Sequence, residues 1–277
     1  MKVSWRNLGF STSISLVIIA LLAGAALLAP IISPYAPNDI VSDIWQAPCA
    51  RFLLGTDNVG RDVLSRLIWG ARITFIVAGG ATMLSFTLGV SLGFAAALMR
   101  GWADQLLSRA VDLLMAIPTL IFALVVLSVL PANLKVLILV IALLDATRVF
   151  RVSRAIATDV VVMEFVEAAR VRGESWGWIM WREIMPNAIS PLLAELGLRF
   201  VFAVIFLSTL SFLGLGIQPP TADWGGMVRD NKEGIVFGVS AALIPGGAIA
   251  TLAISVNLLV DGVLKRTTSL RGRREDG

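Results

Sequence analysis

At 277 residues with a formal net charge of +4, the chain is 57% hydrophobic and 15% charged, with a mean hydropathy of +0.85, which excludes an ordinary soluble globular domain. The absence of histidine and the presence of one cysteine, Cys49, exclude an internal disulfide framework and the common zinc and haem constellations. Apolar residues fall in runs near the ~20 that a helix needs to cross hydrocarbon, so the composition predicts a single all-α integral membrane protein.

The first apolar run, residues 13–32, follows Lys2 and Arg6. It is longer than the roughly 7 to 15 residues of a signal-peptide core, and its small residues recur throughout instead of marking one cleavage site, so it predicts a retained first helix. Next comes a segment at 55–66 reading Gly-Thr-Asp-Asn-Val-Gly-Arg-Asp-Val-Leu-Ser-Arg. By pattern it is a capped amphipathic helix in the membrane interface. Thr56 or Asp57 starts it, Val63, Leu64, Leu67, Ile68 and Trp69 give an apolar face, and Arg61, Asp62 and Arg66 give a wet one. Asp57, Asn58 and Asp62 lack the alternating ligand spacing of a calcium loop. Residues 1–72 are therefore read as an N-terminal stub, a first span and an interfacial segment.

Five further runs, at 73–98, 106–130, 134–150, 189–215 and 236–264, form a predicted five-helix core within 73–264 and bring the total to six transmembrane helices. The 134–150 run is the shortest and carries Asp145 and Arg148 near its end, which predicts a tilted helix or one whose last turn reaches the interface. Asp112 and Asp261 also fall toward span ends. In the 189–215 run, Glu195 and Arg199 stand four apart and can neutralise each other on one helix face. A charge within a span costs roughly 2.5 to 3.5 kcal/mol to insert, so this pair is a candidate for lining a path or a subunit interface. The basic tail, 265–277, holds Lys265, Arg266, Arg271, Arg273 and Arg274. Cations just after a span follow from topology and attract anionic headgroups, and no aromatics interleave them, so membrane lipid and not nucleic acid is the predicted contact.

The distribution of Lys and Arg predicts the orientation. Lys2 and Arg6, Arg100 and Arg109, the stretch from Arg148 to Arg182, and the tail all fall on one side, which the positive-inside rule makes the cytoplasm, with both termini inside. Opposite loops hold Arg51, Arg61, Arg66 and Arg229, accompanied by Asp57, Asp62, Asp223 and Asp230.

Within the predicted cytoplasmic loop 151–188 lies a charged insert, 164–186, where Trp176, Trp178, Ile179 and Trp181 mix with Arg172, Glu174, Arg182 and Glu183. Ala168, Ala169 and Gly173 form a low-relief strip that lets another backbone approach closely, since residues four apart share a helix face. Gly173 alternatively ends the first helix as a left-handed cap. On these residues alone, an amphipathic helix at the membrane surface and a docking surface for a soluble partner stand side by side.

The insert's Glu167-Ala168-Ala169, then Gly173, then Ile184-Met185-Pro186 resembles the EAA loop of permease subunits in bacterial ABC importers. The resemblance implies that Glu167, Ala168, Ala169, Gly173, Ile184 and Pro186 form the surface that couples to an ATPase subunit, with Met185 replacing the usual leucine. Residues 55–66 are similar to the GTDxxGRDxxSR signature of the dipeptide, oligopeptide and nickel permease family. Ser211-Phe212-Leu213-Gly214-Leu215-Gly216, Gln218-Pro219-Pro220 with Trp224-Gly225, and Asn257-Leu258-Leu259 with Asp261-Gly262 match the same family. The resemblance implies the type I importer permease fold, a C-type subunit of the bacterial inner membrane, and peptides as cargo, with nickel or another small solute as the alternative. It further implies ABC ATPase subunits, a second homologous permease and a periplasmic or lipid-anchored solute-binding protein as partners. Where the family carries no pair like Glu195 and Arg199, this chain departs from it.

No Gly-Lys dipeptide occurs anywhere, which excludes a P-loop of the GxxxxGK[ST] type. The chain is thus expected to be a non-enzymatic transport subunit without catalytic, cofactor-binding or metal-binding residues, ATP being bound by its partners. An ion-coupled secondary transporter would show an internal repeat and acids near the midplane, and neither is visible in the sequence.

Overall fold

The structure, a computed structural model, describes residues 10–131 and 133–275. In chain order the helices are α1 (Phe10–Leu27), α2 (Ala29–Ile32), α3 (Val63–Met99), α4 (Gly101–Ala116), α5 (Thr119–Val129), α6 (Leu134–Val161), α7 (Glu164–Val171) and α8 (Trp176–Trp178). A π-helical turn (Ile179–Ile184) then leads into α9 (Met185–Phe212), followed by α10 (Trp224–Asn231) and α11 (Leu243–Glu275). Among the described residues no strand forms, only two isolated bridges in the loop before α3. The predicted stub with Lys2 and Arg6 lies outside the described residues, as does the end of the predicted tail beyond Glu275.

Four helical stretches are long and apolar enough to cross a membrane: Phe10–Leu27, Val63–Met99, Trp176–Phe212 and Ser240–Lys265. α4 and α5 are long and apolar enough only when taken together, and the run expected as one helix over 106–130 is bent by 82° between them, as a broken span or a re-entrant loop. Pro118 causes the break: it lacks an N–H and forces Ile117 into an extended conformation (φ −85°, ψ 128°). α4 buries none of its residues. It is tied to α6 by ion pairs, Arg154 Nη2 to Asp104 Oδ2 and Arg151 Nη2 to Asp112 Oδ1, each 2.6 Å. The fourth expected span, α6, has the length, 28 residues, but carries Lys135, Asp145, Arg148, Arg151 and Arg154 and does not join the others on composition.

The core of the bundle is the α3–α6 pair. Ser85, Gly89, Gly93 and Ala97 recur every four residues on α3 and are all buried. A Cβ at Gly89 would stand 2.6 Å from Val149 Cβ, and one at Gly93 would stand 2.8 Å from the Phe150 carbonyl oxygen. A small-residue stripe of this kind brings two helix backbones together where hydrocarbon supplies no hydrophobic drive between them. Gly197 meets Val260 in the same way and Gly262 meets Thr12, which joins α9 to α11 and α11 to α1.

The segment at 55–66 departs from its sequence reading. It is not a separate interfacial helix: residues 55–62 are an irregular loop, and Val63 begins the 37-residue α3, which runs on through the expected boundary at 72. Asp62, not Thr56 or Asp57, is the N-cap, its Oδ2 accepting from Ser65 N at 2.8 Å. Of the expected wet face, Asp62 and Arg66 are buried at 3% exposure each and Arg61 is half-buried, and Asp57 beside them is at 0%. Asp57 explains why: its carboxylate accepts from Val59 N, Arg61 N and Arg61 Nε at 2.7–2.9 Å and lies 3.3 Å from Arg66 Nε. The loop and the first turns of α3 are fastened to distant chain, Asn58 N donating to Asn231 Oδ1 at 2.9 Å and Trp224 Nε1 to the Leu67 carbonyl at 3.0 Å.

Candidate functional site

The 164–186 insert folds as a helix, a tight turn and the foot of a long helix. α7 ends in a Schellman arrangement: Gly173 N donates to Arg170 O at 2.9 Å and Glu174 N to Ala169 O at 3.2 Å, with Gly173 at φ +78°. Ser175 then caps α8, its Oγ accepting from Trp178 N at 3.3 Å. Arg172 braces the turn from outside, 3.7 Å from Glu183 Oε1 and stacked over the Trp178 ring at 5.9 Å. Beyond it the π turn widens the helix just before Pro186, which has no N–H to return to Arg182 O and whose ring would crowd that carbonyl.

The predicted coupling residues divide between two faces. Glu167, Ala168, Gly173 and Pro186 are exposed. Ala169 and Ile184 are not available to an outside partner: both are 0% exposed and pack with Val166, Ile179 and Ala188 against Phe94 of α3 and Val149 and Val160 of α6. They seat the loop on the bundle while the other four face away from it. Around Gly173 nothing lies within 4 Å of where a Cβ would stand. Val162, Val171, Trp176 and Trp181 add exposed apolar surface, between 51% and 84%. So much apolar area rimmed by Glu167, Arg170 and Arg182 is the composition of a docking face.

Glu195 and Arg199 form the intrahelical pair that their spacing predicts, at 2.8 Å, but they are not alone. Asp145 of α6 lies 3.6 Å from Arg199 Nη1 and 3.9 Å from Arg148 Nη1. Both guanidinium groups sit over the Phe202 ring, at 4.7 Å for Arg199 and 5.5 Å for Arg148. Asp145 therefore does not lie at a helix end: α6 continues sixteen residues beyond it, and the residue is 6% exposed. The sequence signal that could have found it is the i, i+3 placement of Asp145 and Arg148 on one face, mirrored by Arg199 and Phe202 on α9.

On the far side from the insert, Asp223 caps α10 through Gly226 N (3.1 Å). Burial pushes its carboxyl above the usual carboxylate range, against the pull of the Gly226 N–H, Ser211 and Arg229. Arg229 reaches the Ser211 carbonyl at 3.2 Å and Asp230 at 3.1 Å. The acids that accompany the arginines of these loops are thus their partners in space, not only in sequence.

The family model for the inner membrane component of binding-protein-dependent transport systems matches residues 86–269. The chain belongs to this family. It is 31% identical over 95% of its length to the di/tripeptide transport system permease protein DppC of Pseudomonas aeruginosa, covering 90% of that protein. Two Brucella suis proteins, named "Putative peptide permease protein" and "Putative peptide transport system permease protein", are each 37% identical to it. They align with 90% and 91% of this chain and are themselves covered over 83% and 86% of their lengths. The chain is thus a multi-pass membrane permease subunit of an ABC importer with the all-α type I importer fold. The match covers α6, the insert and α9, so the helix pair that carries the loop and the Asp145–Arg199 cluster is part of the shared framework.

Proposed function

We propose that the chain is the C-type permease of a peptide importer, forming half of the translocation path for di- or oligopeptides. It takes mechanical work from a separate ABC ATPase through the 164–186 loop. The observation that carries the reading is the division of that loop: Ala169 and Ile184 are sealed into the α3–α6 core while Glu167, Ala168 and Gly173 stand clear around open space. A force applied at the turn passes through α7 into α6 and through the π turn into α9, both of which hold the mid-bundle charge cluster. The peptide assignment rests on the names of the relatives.

In this reading a second homologous permease completes the path and a solute-binding protein delivers cargo on the side opposite the loop. The membrane is the bacterial inner membrane, both termini lie in the cytoplasm, and ATP is bound only by the partner subunits. The exposed apolar residues of α1 and α5, such as Leu21, Val125 and Val129, are left to lipid or to the second permease. Uptake of a labelled dipeptide into sealed vesicles holding the assembled importer and its binding protein tests this. Uptake that requires ATP and survives collapse of ion gradients is expected. Uptake that needs only a gradient, or none with ATP, would overturn it.

A further inference from the structure

The helix that the bundle covers least is α4, which has 16 residues and buries none of them. Its level is set by its neighbours. Past Phe150, α6 turns charged and open: the Arg151 and Arg154 side chains are 52% and 38% exposed and Asp159 is exposed, so α6 leaves hydrocarbon there. α3 passes that level at Gly93, where a Cβ would stand 2.8 Å from the Phe150 carbonyl oxygen and 2.9 Å from Arg154 N. It runs on to Met99, about 9 Å further. α4 therefore starts outside the hydrocarbon, on the side of the 164–186 insert.

From there it runs across the bundle, not into it. Asp104 reaches Arg154 and Asp112 reaches Arg151, so about 12 Å of α4 passes about 4.5 Å of α6 at the ~1.5 Å rise per residue. A half-span would advance along α6 as fast as along itself. Only beyond the 82° bend does the chain turn to lie along α6, where Thr119 Oγ1 accepts from Arg148 Nη2 at 3.4 Å.

The two faces of α4 differ. Asp104 and Asp112 are taken by the arginines of α6. Trp102, Leu106 and Leu113 are 77%, 60% and 72% exposed, and at about 100° per residue they fall within about 40° of one another. Arg100 and Arg109 are exposed as well and make no ion pair with any described residue. An apolar stripe with a tryptophan, rimmed by uncompensated cations, fits the boundary between acyl chains and anionic headgroups. The exposed apolar surface goes on past the elbow as Ile117, Ile121 and Val125, on the hydrocarbon side of the Phe150 level.

We propose that α4 is an interfacial helix lying on the leaflet at the insert's side. Trp102, Leu106 and Leu113 are set in the headgroup–acyl boundary, and Arg100 and Arg109 meet anionic headgroups. In the orientation proposed above this is the cytoplasmic leaflet. The Asp104–Arg154 and Asp112–Arg151 pairs then hold α6, which leads into the insert, at a fixed depth against lipid. The crossing is left to α5 and the residues leading to Asn133.

The test uses the assembled importer in vesicles of phosphatidylcholine and phosphatidylglycerol, with Cys49→Ser as background and a fluorescent NBD label on Leu106→Cys or, separately, on Leu113→Cys. The signal of Cys49→Ser alone is subtracted. A nitroxide lipid labelled near the headgroup is expected to quench both labels at least twofold more than one labelled near the acyl end. A label on Gln105→Cys, off the apolar stripe, should be quenched less by both lipids. Replacing Arg100 and Arg109 by glutamine should weaken the shallow quenching at Leu106→Cys, and leaving out phosphatidylglycerol should do the same with the arginines in place. Stronger quenching from the acyl end would make α4 half of a span and overturn the inference. No quenching by either lipid would place the stripe against the second permease or water and overturn it too, and shallow quenching indifferent to both charge changes would overturn the headgroup contacts. Depth is read alike in either leaflet, so these outcomes stand apart from the proposed orientation and from peptide as the cargo.

Discussion

The two most charged motifs of this chain, at 55–66 and at 164–186, look alike as sequence and behave as opposites in space. Each mixes arginine, acid and glycine with apolar residues. In the first, Asp57 and Asp62 are nearly inaccessible and every carboxylate is spent on nearby backbone or arginine. In the second, Glu167, Arg170 and Arg182 stay exposed, and the only brace is Arg172 across the turn. A charge that closes onto its own chain is scaffold; a charge left open beside exposed tryptophans is surface for something else.

That contrast breaks most visibly at Asp57. Asp57→Ala leaves Arg61 and Arg66 buried without their shared partner, and removing one side of such a pair costs about 3–5 kcal/mol. The expected result is loss of folded protein after extraction into detergent, read by thermal unfolding and yield. A smaller effect of a different kind is expected at the exposed motif. Glu167→Lys should leave the melting temperature unchanged while weakening association with the ATPase about tenfold in a salt-dependent manner, as for a rim charge, measured by co-purification at two ionic strengths. Trp224→Phe keeps the ring but loses the hydrogen bond to Leu67, for a cost of about 1 kcal/mol, readable as a modest fall in melting temperature with transport intact.

The smallest expected effect is the pH response of Asp223. Its folded pKa lies above its unfolded one, so the folded state binds the proton first. The stability it contributes therefore falls as pH rises from the ordinary carboxylate value of about 4 up to the folded pKa and is level above it. Relative to Asp223→Asn, the unsubstituted protein should gain melting temperature on acidification through that window; a parallel pair of curves would contradict the assignment.

Most of the bundle was legible because its helices are long apolar runs, and the misreadings have local physical causes. Pro118 ends a helix that hydropathy alone joins across 106–130. The burial of 55–66 was hidden because its partners, Asn231 and Trp224, stand more than 150 positions away, and no periodicity reports such a contact. In the insert, spacing found Gly173 and its left-handed turn. It could not separate exposed Ala168 from buried Ala169, which differ only in the helix face that meets α3 and α6. Asp145 was missed because the apolar run stops at Phe150 whereas the helix does not.

Coupling to the ATPase requires the Gly173 turn to be a contact surface and not merely a cap. A Cβ at Gly173 has nothing within 4 Å, so Gly173→Trp points its ring into open space at the strain of a left-handed residue, about 1–2 kcal/mol. In the reconstituted importer, cargo-stimulated ATP hydrolysis and uptake are measured together. Normal membrane insertion and folded yield are expected, with both activities lost at least tenfold; full stimulated hydrolysis and full uptake in that variant would show that the turn is not a coupling surface.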